Sequence, residues 1–279
     1  MRRLTRALPR VLDADDPKAV HHARVAARRL EEYLAAAFPG SKPKKIKKFR
    51  RVVRKVRRDL GKWRNCDVVL SLIAKKGQRA RDEAPQPAWH LVESFIEKER
   101  LREIKRARRR LDDLDIEALG DQLEAWVEAD EPNSEALQAS LDAAAEKWHS
   151  ALTAAEQNRS AGEVHEFRIA TKKLRYRLEL VCELRADAPP LLEDLKRLQR
   201  ALGKWHDIEI ADHMIAETLA RPKVLLHEIP SARMLLDELE QDNLRQSTAA
   251  EEILRSARTA SGPAESRERP PLLLAFSRP

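Results

Sequence analysis

One block of the chain is written twice, and that duplication limits the folds open to it. The first copy reads Val20-His21-His22-Ala23-Arg24-Val25-Ala26-Ala27-Arg28-Arg29-Leu30 and the second Val164-His165-Glu166-Phe167-Arg168-Ile169-Ala170-Thr171-Lys172-Lys173-Leu174, at an offset of 144. A second pair, Leu60-Gly61-Lys62-Trp63-Arg64-Asn65 and Leu202-Gly203-Lys204-Trp205-His206-Asp207, repeats at an offset of 142. Two ordered matches at nearly one offset imply two related halves, whereas a solenoid would repeat every ~20 to 50 residues. The halves are expected at 1–131 and 132–258, joined where Pro132 interrupts a helix and Ser134 opens the next. Beyond them, 259–279 turns to Ser, Gly, Pro and Arg and reads as a flexible tail that docks, if at all, through Leu272 to Phe276.

Both halves read as helical. Of 279 residues only 7 are glycine and 4% aromatic, 36% are charged, and long stretches of Ala, Leu, Glu, Lys and Arg favour helix over sheet. The two cysteines, Cys66 and Cys182, are far apart and form no CxxC, which suggests neither a disulfide framework nor a zinc site. No metal or other cofactor is expected. There is no long apolar run, so a soluble cytoplasmic protein without a membrane partner is the expectation. The net charge of +8 hides an asymmetry: residues 1 to 64 carry 21 Lys and Arg against 6 Asp and Glu. Such a basic half points to an anionic partner.

The repeated motif sits at a helix start in both copies. Asp15-Asp16-Pro17 supplies a cap and a first-turn proline, and Ser160-Ala161-Gly162-Glu163 is a capping box, so each motif histidine falls in the first turns, where backbone N–H groups favour an anion. Val20, Ala23, Ala27, Leu30 and Leu34 form an apolar stripe, with His21, Arg24 and Arg28 on a row beside it. In the second copy the stripe is Val164, Phe167, Ala170 or Thr171, Leu174, Leu178 and Val181, bordered by His165, Arg168 and Lys172 and continued by Arg175 and Tyr176. Three cations on one helix row repel one another, a cost that a polyanion removes.

Elsewhere, a helix from Lys44 to Asp59 places Ile46, Phe49, Val53, Val56 and Leu60 inward and Arg51, Lys55 and Arg58 outward. Its counterpart keeps Lys196, Arg197 and Arg200, which align with Arg54, Lys55 and Arg58 and raise Arg54 and Lys196 above the other cations. Gly61 and Gly203 suit a left-handed helix end, and Asn65 and Asp207 the next cap, which predicts a tight corner anchored by Trp63 and Trp205. A long helix from Trp89 to about Asp113 carries a basic stripe that includes Arg102 and Arg106.

These motifs resemble the conserved histidine α-helical domain, or CHAD, family: Val20-His21-x-x-Arg24-Val25-x-x-Arg28-Arg29-Leu30, its partner through Leu174-Arg175-Tyr176, and a Leu-Gly pair in each half. The resemblance spans about residues 1 to 258. It implies an all-α fold of two antiparallel four-helix bundles related by a pseudo-twofold axis and packed into one compact unit around a central basic groove or channel. It also implies non-catalytic binding of inorganic polyphosphate, often at polyphosphate granules. By position that role falls to His21, Arg24, Arg28, Arg29 and Arg54, and to His165, Arg168, Lys172, Lys173, Arg175 and Lys196. Arg51, Lys55, Arg58, Tyr176, Arg200, Arg102 and Arg106 are secondary candidates. Two positions depart from the family pattern: Glu31, where a basic residue is usual, and Asn65, where Asp is common.

Two other functions compete. A pI near 9.6 permits nucleic-acid binding, but the basic stripes hold almost no aromatic besides Tyr176 on which a base could stack, so nucleic acid is expected only as a weak competitor. The dipeptide His206-Asp207 suggests a metal-dependent phosphohydrolase of the HD type. The aligned pair is Arg64-Asn65, which favours a variable turn instead, and no catalytic residue is assigned.

Overall fold

The computed structural model describes residues 2–38, 44–79, 87–129, 134–185, 190–222 and 229–260, and all regular structure among them is helical. The elements are α1 (Arg2–Asp13), α2 (Pro17–Ala37), α3 (Lys44–Asp59), α4 (Gly61–Arg79), α5 (Pro87–Leu111), α6 (Ile116–Ala129), α7 (Ser134–Asn158), α8 (Ala161–Arg185), α9 (Pro190–Leu219) and α10 (Ile229–Ala260). None of the described helices is long and apolar enough to cross a membrane. The expected joint at 131–133 and the segment 261–279 lie outside the described residues.

Contacts divide the chain into two compact units. The first comprises Met1–Glu31, Lys42–Glu131 and Asp207–Asn243, and the second Glu32–Ser41, Pro132–His206 and Leu244–Pro279. The boundary at 131/132 coincides with the sequence halves, but 207–243 packs with the first unit. In that unit one core gathers Cys66, Val69 and Ile73 of α4, Val92 and Ile96 of α5, Ala211, Ile215 and Leu219 of α9, and Leu235 and Leu239 of α10. In the second, α7, α8, the first part of α9 and the last part of α10 meet around Trp148, Phe167, Leu174, Leu178, Leu202 and Leu254.

The helix starts follow from their caps. Asp16 Oδ1 accepts the Lys18 N–H at 2.8 Å, and this bond holds the Asp16 carboxyl below its ordinary range. Ser160 Oγ accepts the Glu163 N–H at 3.2 Å. Between α7 and α8 only Arg159 and Ser160 intervene, and Arg159 takes the left-handed φ of 50° that reverses the chain. The two helices then pack along their length. Here Thr171, rather than Ala170, fills the stripe: it is fully buried, its hydroxyl donates to the Phe167 carbonyl at 2.8 Å, and it accepts the Trp148 indole N–H at 3.0 Å.

The predicted left-handed glycine corners are absent, although a one-residue turn at Leu60 does separate α3 from α4. Gly203 lies in the middle of α9, and between α3 and α4 only Leu60 intervenes, bonded from its N–H to the Val56 carbonyl (3.0 Å) and accepting the Arg64 N–H at its own carbonyl (3.2 Å). Neither glycine has a left-handed φ. The helical period carries on through buried Leu60, Trp63, Cys66 and Val69, with no proline to stop it. Trp63 and Trp205 are buried as expected of anchors. What Gly61 provides is room, because a Cβ there would lie 3.1 Å from Arg24 Nη1, whereas one at Gly203 would meet nothing within 4 Å.

A partly buried ion network ties α4 and α5 to the start of α2. Arg100 donates from Nε to Asp67 Oδ1 at 2.6 Å and from Nη1 to Asp15 Oδ2 at 2.7 Å. Burial pushes the Asp67 carboxyl above its usual range while Arg100 opposes that shift.

Three stability outcomes are expected in denaturant unfolding. Gly203→Ala adds about 0.5–1 kcal/mol through helix propensity, and Gly61→Ala gains less because Arg24 must shift. Arg100→Met leaves the Asp67 carboxylate buried without its partner and costs about 3 kcal/mol, most of it recovered when Asp67→Leu is added. His149 lies half-buried against Trp148, ring centroids 5.0 Å apart, and burial lowers its pKa from 6.5. The unfolded chain therefore takes up this proton first, so stability falls as pH drops below about 6.5, and His149→Gln flattens the slope measured there.

Candidate basic site

The apolar stripe fixes the rotation of α2 and hence its cations. Val20, Ala23, Ala27, Leu30 and Leu34 are all buried. Arg24 and Arg28, one position on from Ala23 and Ala27, consequently lie half-buried at the edge of the packed face, while His21 is exposed beside His22 with ring centroids 6.0 Å apart. Arg24 reaches toward α3, where its Nη1 donates to the Arg57 carbonyl at 2.6 Å. Glu31, one helical step further along the row, is buried and turned to the same helix. Arg54 Nε donates to its Oε1 at 2.8 Å, and Arg57 Nη1 lies 2.9 Å from its Oε2. The acidic residue that departs from the family pattern thus holds two cations of α3 in place.

In the second unit α8 buries Val164, Phe167, Leu174 and Leu178, and its row is more enclosed. His165 and Arg168 are half-buried and Lys172 is 9% exposed. The His165 ring lies 5.0 Å from that of His206, tilted by 50°. His206 therefore occupies the interior of α9 next to a motif histidine, which corrects its reading as part of a variable turn. Further along, Arg175 is buried. Its Nε donates to Gln199 Oε1 at 2.5 Å, its Nη1 bonds Glu179, and its guanidinium stacks 4.4 Å from the centroid of the buried Tyr176 ring.

The remaining candidates divide by partner. Lys196 bonds Glu193 at 2.7 Å, and this contact holds the Glu193 carboxyl below its usual range. Arg51, Arg58 and Arg200 are exposed and Lys55 is half-buried. Arg102 and Arg106 pair with acids one turn back on α5, Glu99 at 3.2 Å and Glu103 at 2.5 Å. Arg29 and Lys173 occupy a different face from the His-Arg rows, Arg29 against α1 and Lys173 against α7. Each unit therefore has its own grouping, Arg24, Glu31, Arg54 and Arg57 in the first and His165 with His206 in the second. Glu31, Arg57 and His206 gain their places from contacts between helices distant in sequence.

Both rows consist of hydrogen-bond donors with positive charge, plus imidazoles that gain a second donor and a charge on protonation. They suit a ligand rich in anionic oxygens. Cys66 and Cys182 are buried, and burial pushes the Cys66 thiol up to about 12, which removes it as a nucleophile.

Comparison with known proteins agrees with this architecture. The crystal structure of the CHAD domain from the plant Ricinus communis is similar over 91% of this chain and 86% of that one, with a TM-score of 0.65 at 20% identity. That similarity is one of fold. No curated protein matches the sequence. The family model of the CHAD domain matches residues 1–216, which is most of the sequence, and the chain accordingly belongs to the CHAD domain family.

Proposed function

We propose that this protein binds inorganic polyphosphate without transforming it, through the basic, histidine-containing rows of α2 and α8, and that it does so in the cytoplasm at polyphosphate granules. The observation that carries this reading is the half-buried setting of the duplicated rows. Arg24, Arg28, His165 and Arg168 each lie at the margin of a packed seam, where alkyl stems are held and charged heads keep a polar side. Arginine forks and lysine ammonium groups there match successive phosphates, and the ligand removes the repulsion within each row.

Two further features favour an anion without bases. Phe167, Tyr176, Trp63 and Trp205 are all at least 93% buried, so these motif aromatics offer no face on which a base could stack. Nucleic acid is then a weak competitor. The neighbouring rings of His165 and His206 repel when both are protonated, and an anion beside them relieves that repulsion. Binding thus takes up protons, and affinity rises as pH falls through about 6.5.

The test is a titration with long-chain polyphosphate. The variant His21→Gln, Arg28→Gln, His165→Gln, Arg168→Gln loses two fixed charges, each worth about 1.5 kcal/mol in a charge-assisted contact, so its affinity should fall roughly 100-fold with a shallower dependence on salt. Circular dichroism establishes that the variant is folded. Separately, His165→Gln with His206→Gln should flatten the affinity profile between pH 7.5 and 5.5. A folded quadruple variant that binds as tightly as the parent would overturn the proposal.

A further inference from the structure

A second basic surface lies on the opposite flank of α2 from the Arg24 and Arg28 row. There α1 and α2 enclose a cleft of about 360 Å³ whose walls carry Arg3, Arg6, Arg10, His22 and Arg29. Ala7, Val25 and Ala26 form its floor. Arg3, Arg6 and Arg10 recur at i, i+3 and i+7 on α1, so their stems emerge along one side over about 10 Å of helix. The row starts in the first turn of α1, where the helix dipole adds positive potential. At its far end Arg10 already bonds Asp16 at 3.0 Å, which leaves the Arg3 and Arg6 end the more electropositive.

The internal repeat supplies a control within the molecule. Shifting α1 and α2 by 144 residues superposes buried Leu4, Leu8 and Val11 on buried Trp148, Leu152 and Ala155. A corresponding cleft of about 230 Å³ does lie between α7 and α8. There Lys147 stands for Arg3, Ser150 for Arg6, Ala154 for Arg10, Glu166 for His22 and Lys173 for Arg29, and Arg177 is the one arginine in its lining. The packing that makes the cleft is thus common to both copies, and the concentration of arginine is not. Arg3, Arg6 and Arg10 are exposed and Arg29 is half-buried, so the four arginines around this opening repel one another, and burial of the α1 stripe does not require the three on α1.

We infer that the α1/α2 cleft is a separate site for a short run of condensed phosphates, such as an inorganic oligophosphate or the phosphate tail of a nucleoside polyphosphate. The arginine row is too long for a single phosphate and suits several joined in line, held by paired guanidinium forks. The small apolar floor admits a compact ligand body. This inference does not depend on the roles of the His-Arg rows, because its residues lie on another flank of α2.

Calorimetric titration of the full chain with tripolyphosphate tests it, comparing Arg6→Glu with Lys147→Glu, two exposed reversals with the same change of net charge. Arg6→Glu is expected to weaken tripolyphosphate binding at least tenfold, and Lys147→Glu less than twofold. Equal losses would mean that net charge alone is sensed and would refute the site. Orthophosphate binding as tightly as tripolyphosphate would also refute it. ATP in place of tripolyphosphate separates the ligand sources: an equal response to Arg6→Glu assigns recognition to the phosphates alone, and tighter binding of ATP adds the nucleoside. Arg6→Gln, losing about half the effect with an unchanged melting temperature, guards against a folding defect.

Discussion

Burial of one apolar stripe on α2 and another on α8 governs the rest. With side chains such as Leu34 and Leu178 at 0% exposure, each contributing about 2 kcal/mol on leaving water, the rotation of both helices is fixed. The next position round the helix is then neither inside nor outside, and in both copies it is cationic. An arginine held there keeps its stem packed and its head near polar groups, a more defined setting than a freely solvated surface gives.

Packing alone does not aim these heads. In the first unit a carbonyl, that of Arg57, receives Arg24, and a buried carboxylate, Glu31, receives Arg54 and Arg57. In the second, Gln199 and Glu179 fix Arg175. A chain with an excess of positive charge places its few buried acids where they orient cations. Asp67 beside Arg100 follows the same logic at a purely structural position, with the exposed Asp15 as a second partner.

The helical class, the apolar stripe of α2 and that of α8, and the bounds of α3 were all readable from the sequence, because each rests on a local period or cap: Asp16 and Ser160 cap the helices they precede. The left-handed geometry expected at Gly61 and the break expected at Gly203 were not. Glycine followed by Asn or Asp is a stop signal only when nothing beyond it needs burial, and Trp63 and Cys66 continue the buried face. Gly61 answers instead to Arg24, a residue 37 positions earlier. His206 reads as part of a variable turn for the same reason, since its neighbour His165 is distant in sequence, and the cleft of Arg3 and Arg6 lies ahead of the repeated motif.

The segment from Asp207 to Asn243 gives the repeat an unexpected meaning. Its Ile215, Leu219, Leu235 and Leu239 cover Val69, Ile73, Val92 and Ile96, although the former belong to one sequence copy and the latter to the other. A polypeptide ended at residue 131 would present that surface bare to water. Duplicated text and self-sufficient pieces are therefore different things in this molecule, and translation must proceed well into the second copy before the first can close its own interior.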